Sequence, residues 1–137
     1  MDRRGVMTAA AREHGVLALY LFGSRADEGL RVLAGELAPA AGSDVDVGVV
    51  FAAPPPPLAL TDLQVALGDV FAPLRVDLVP LHRVDALFQF RAIDGHRIFV
   101  ADEHEVDLFE LGVMRHASEL LPAQRAIERD LFGISTS

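Results

Sequence analysis

Ser43-Asp44-Val45-Asp46-Val47-Gly48-Val49-Val50 is an apolar run opened by two aspartates. A strand turns its side chains to alternate faces, so Asp44 and Asp46 project the same way with Cα atoms about 6.6 Å apart. Two more runs belong with it. In Leu21-Phe22-Gly23-Ser24-Arg25 a glycine and a serine close an apolar segment, and Arg75-Val76-Asp77-Leu78-Val79 carries a third acid. Three strands would thus bring three carboxylates. Gathered without partners they repel one another and are costly to bury, which calls for a divalent cation on oxygen ligands. The pattern points to phosphoryl chemistry.

The glycine and serine suit that chemistry from the other side. Gly23 lacks a Cβ and lets backbone amides approach a phosphate, while the Ser24 hydroxyl can donate to the same oxygens. A helix beginning just after Ser24 would add the partial positive charge of its N-terminal amides. Arg25 either pairs with the phosphates or lies in solvent. Taken singly, a Gly-Ser pair is mostly an ordinary turn and an Asp-X-Asp a solvated strand edge. Their order, each at or on a strand, carries the reading.

In that order the motifs resemble the polymerase-beta-like nucleotidyltransferase superfamily, and within it the minimal nucleotidyltransferase (MNT) branch, over most of the chain. The resemblance implies an α/β (α+β) fold, a small mixed sheet flanked by helices with C-terminal helices beyond it. It also implies roles: Gly23 and Ser24 at the triphosphate of ATP, and Asp44, Asp46 and Asp77 as ligands of two Mg2+ ions, with Asp77 nearest the acceptor. One departure stands out. The family places about ten residues between the Gly-Ser and the first aspartate, whereas residues 25 to 43 intervene here, an expected extended loop containing Gly29, Gly35, Pro39 and Gly42.

Along the chain, residues 3 to 14 read as a helix stopped by Gly15, and Val16 to Phe22 as a strand buried on both faces. Asp44 to Phe51 is the second strand, ended by Pro54 to Pro57. Leu60, Leu63, Leu67 and Val70 keep helical spacing, and Pro73 terminates that segment. Arg75 to Pro80 is the third strand, Val84 to Arg91 a short helix before the Asp94-Gly95 turn, and Ile98 to Ala101 a brief extension. Asp102, Glu103 and Glu105 open a longer helix, where the macrodipole favours acids. Pro122 is expected to break it, leaving a last short helix from Ala123 to Leu131. Arg91 and His96 share the Arg-X4-His spacing of HEPN ribonucleases, but Asp94-Gly95 breaks the helix that spacing needs, and it reads as coincidence.

At 137 residues the chain is expected to be one domain, a core of about 1–101 and a helical segment of about 102–137. Apolar residues make up 51%, and the net charge of −8 argues against gripping a nucleic-acid backbone. There is no cysteine for a disulfide, a thiolate nucleophile or a thiolate zinc site. No run is long enough for a membrane span, and a cytoplasmic protein is expected. The MNT branch implies an antitoxin that transfers AMP from ATP to a hydroxyl on a helical HEPN partner. The alternatives are a small-molecule nucleotidyltransferase of the aminoglycoside kind, with a site shared in a homo-oligomer, and a binding antitoxin that keeps the fold without catalysis.

Overall fold

The computed structural model describes residues 1–36 and 44–132. Helix α1 (Arg3–Glu13) leads into β1 (Val16–Phe22), α2 (Ala26–Leu33), β2 (Asp44–Phe51), α3 (Ala59–Phe71), β3 (Arg75–Pro80), a short 3-10 turn at Leu81–Arg83, α4 (Ala86–Ile93), β4 (His96–Val100) and α5 (Glu103–Phe132). The four strands form one mixed sheet in the order β3-β2-β1-β4, with β2 and β3 parallel and the other pairs antiparallel.

Alternation along the strands divides the core in two. Leu19, Leu21, Val45, Val47 and Val49 pack with Met7, Val32, Leu63, Leu67 and Phe71 of α1, α2 and α3 on one face. Ala18, Tyr20, Phe22 and Val50 pack with Ala92, Ile93, Val106 and Val113 of α4 and α5 on the other. β1 is therefore covered on both sides, as its unbroken apolar sequence requires. Tyr20 Oη donates to Glu110 Oε2 at 2.7 Å, and Arg97 Nε donates to the same oxygen at 2.7 Å while its Nη atoms reach Glu103 and Asp107. This network ties α5 to β1 and β4.

Two expectations are corrected. The segment after Ser24 is not wholly a loop: residues 26–33 are helical, and its remainder, residues 37–43 with Pro39 and Gly42, lies outside the described residues. Gly29 lets this helix lie close on the sheet, since a Cβ there would stand 2.9 Å from Val45 Cγ2 and 3.1 Å from Leu21 Cδ2. Gly35, at φ +81°, ends α2 in a Schellman turn, with Glu36 N–H donating to Arg31 O and Gly35 N–H to Val32 O. The second correction is that α5 runs on through Pro122. A proline removes one backbone donor, and the strong helix formers around it, Leu120, Leu121, Ala123 and Gln124, carry the helix past.

Candidate nucleotide site

Pairing brings the separate motifs to one end of the sheet. Phe22, the last residue of β1, lies opposite Asp46, and Asp46 lies opposite Asp77 across the parallel β2–β3 pair. Because Val45, Val47 and Leu78 enter the α1–α3 core, Asp44, Asp46 and Asp77 occupy the opposite face, the one that α4 and α5 cover further along. Asp46 is half-buried, and Asp44 and Asp77 are exposed. Gly23 adopts φ +80°, and a Cβ on it would meet Asp46 Oδ2. The backbone conformation therefore favours glycine there, and a side chain would have to displace the neighbouring carboxylate.

Burial, and then the charges of Asp77 and Asp44, push the Asp46 carboxyl above its ordinary pKa, with Arg91 acting in the opposite direction. Asp44 is drawn sideways to Arg75, whose Nε stands 3.1 Å from its Oδ1. Among the described residues, no group of three or more histidine, cysteine or acidic side chains is gathered to hold a metal ion. In kind the donors suit a hard divalent cation, being carboxylate oxygens on one face whose mutual repulsion it would relieve. In position, Asp46 and Asp77 are neighbours and Asp44 is turned aside.

Beside Asp46 a cavity of about 260 Å³ is walled by Phe22, Gly23 and Ser24, by Ala26 and Asp27 of α2, and by Arg91, Asp94, Gly95 and His96 across from them. Gly23 and Ser24 thus stand on the cavity wall just before the start of α2. Arg25 does not line this cavity; its Nη1 pairs with Glu28 Oε1 at 2.6 Å. Arg91 and His96, whose spacing reads as coincidence, both do. The Asp94-Gly95 turn does interrupt the helix, and that interruption sets α4's end and β4's start against the end of β1. A Cβ at Gly95 would strike Leu21 O and stand 2.9 Å from Phe22 Cβ. The available signal was the glycine, with an arginine one turn before it.

The family model described as "Polymerase beta, Nucleotidyltransferase" matches residues 6–104. The chain belongs to this family. No curated protein matches its sequence. Solved structures share the fold at low identity. A mutant MntA toxin–antitoxin complex aligns with TM-score 0.69 and 18% identity, covering 96% of this chain and 98% of that one. A toxin–antitoxin structure with AMP-PNP aligns at 0.68 and 19%, covering 93% and 97%. The MNT antitoxin in complex with a tri-AMPylated HEPN toxin from Shewanella oneidensis aligns at 0.66 and 19%, covering 94% and 95%. The polymerase-beta-like fold read from the three motifs is therefore the fold of this chain. Among the described residues, no helix is long and apolar enough to cross a membrane.

Proposed function

We propose that the protein is a cytoplasmic nucleotidyltransferase that moves AMP from ATP to a hydroxyl of a helical HEPN-type partner. The observation that carries this reading is the register that sets Asp46 against both Gly23 and Asp77. The likeness to antitoxins solved with a HEPN toxin and with AMP-PNP supports the choice of partner and nucleotide.

The acceptor oxygen forms a bond to the α-phosphorus as the bond from that phosphorus to the bridging oxygen breaks. Pyrophosphate departs with the electron pair, and the hydroxyl proton passes to the exposed Asp77 carboxylate or to water. Gly23 and Ser24 hold the phosphates by backbone and hydroxyl donors. Asp44, Asp46 and Asp77 would hold Mg2+, which when bound neutralises charge that develops on attacking and leaving oxygens. For Asp44 this requires the exposed carboxylate to leave Arg75. Leu108, Leu111 and Met114 are exposed on α5, and they supply an apolar surface for the partner.

Thermal unfolding of the wild type and of Asp44→Asn/Asp46→Asn, each with and without ATP and Mg2+, tests the nucleotide site. Ligand at about 100 times its dissociation constant stabilises by roughly 2.7 kcal/mol, and the double variant should lose that rise. A rise common to both proteins, or absent from the wild type, sinks the reading. A second reading, an antitoxin that acts by contact alone, draws on the turning of Asp44 towards Arg75. Neutralisation of the partner that survives Asp46→Asn would favour it.

A further inference from the structure

Resting on the nucleotidyltransferase reading, we propose that Arg91 of α4 binds the β- and γ-phosphates of the nucleotide and neutralises the pyrophosphate as it leaves. The cavity beside Asp46 has none of the three strand aspartates in its wall, so it is where phosphates beyond the reacting one would extend, past Gly23 and Ser24 towards α2. Its charged lining is unsuited to a polyanion without Arg91. Asp27 and Asp94 are acids on that wall, and His96 Nε2 is already 3.8 Å from Asp27 Oδ1. Arg91 is the permanent cation there.

Its position is fixed by packing. Phe88 stands edge-on to Phe22 at the end of β1, ring centroids 5.8 Å apart, and the Arg91 guanidinium lies over the Phe88 ring at 5.7 Å. Among the described residues Arg91 forms no ion pair, whereas Arg25, the arginine next to the Gly-Ser turn, is taken up by Glu28. A guanidinium presents a planar fork of donors that matches phosphate oxygens.

Titration calorimetry of ATP and of AMP, each with Mg2+, should be run on the wild type, Arg91→Ala, Arg91→Lys and, as a charge-matched control, Arg31→Ala at an exposed position of α2. Arg91→Ala should weaken ATP by about tenfold or more and AMP by less than about twofold, since AMP lacks the outer phosphates. Arg91→Lys should recover part of the loss, and Arg31→Ala should match the wild type. Unchanged ATP affinity in Arg91→Ala, or equal losses for ATP and AMP, overturns the assignment of Arg91 and leaves the nucleotidyltransferase reading intact. No ATP binding by the wild type overturns both.

Discussion

Replacing Gly23 by alanine tests whether the turn and the acid are built as one unit. Two costs add. The φ of +80° is left-handed backbone, which burdens a residue with a Cβ by about 1–2 kcal/mol. The new methyl would also occupy the place of Asp46 Oδ2; because Asp46 is only half-buried its carboxylate can swing aside, so this overpacking costs roughly 1 kcal/mol, the low end of its range. The sum is about 2–3 kcal/mol. For a chain of this size that lowers the unfolding midpoint by roughly 6–15 °C. A double-mutant cycle separates the two costs, because Asp46→Ala removes the atoms the methyl would strike and leaves the backbone as it was. In that background Gly23→Ala should cost only the backbone part, about 1–2 kcal/mol. Urea unfolding of the four proteins, followed by circular dichroism, supplies all the values. Equal losses in the two backgrounds would refute the contact between Gly23 and Asp46, and no loss in either would refute the turn conformation itself.

Gly95→Ala should lower stability by about 2–3 kcal/mol, since backbone is what its Cβ would meet and backbone cannot step aside; a loss under about 0.5 kcal/mol in a denaturant melt would contradict the packing of that turn on β1. Glu110→Leu should cost about 1–3 kcal/mol by leaving the buried Tyr20 hydroxyl and Arg97 without their shared acceptor, measured by the same melts. Tyr20, the single tyrosine, is pushed well above its ordinary pKa by burial and then by its bond to Glu110. The folded protein therefore holds this proton more tightly than the unfolded chain, so stability is intact below the unfolded pKa near 10 and declines by about 1.4 kcal/mol per pH unit above it. Tyrosinate absorbance in an alkaline titration should rise only as the circular dichroism signal is lost. Ionisation near pH 10 with the fold intact would show that the hydroxyl is not sealed in the core.

Three strands were readable because each is a short apolar run with a distinct boundary: Gly15 and Gly23 around β1, Asp44 and the prolines around β2, Pro73 and Pro80 around β3; β4 was read only as Ile98 to Ala101 because it opens on His96 and Arg97, which are not apolar. The order of the strands in the sheet is not carried by such runs; β1 lies between β2 and β4 through pairings distant in sequence. Helix α2 was hidden by Gly29 and Gly35, which look like loop residues although one permits close packing on the sheet and the other forms the helix cap. Pro122 misled in the opposite sense, since a helix can lose one donor and continue. Within the site, Gly23, Asp46 and Asp77 are set by local motif and strand register. Arg91 depends on how α4 lies across the end of β1, and the one local trace of that is Gly95, a turn further along.

The pairing of Phe22 with Asp46 makes the length of chain between them nearly irrelevant to the geometry at the sheet end. Loop-closure entropy grows slowly, by only about 0.6 kcal/mol for each doubling of loop length. The number of residues between Phe22 and Asp46 can therefore differ while the glycine and the aspartate keep their places, and a motif with a fixed gap will miss such chains.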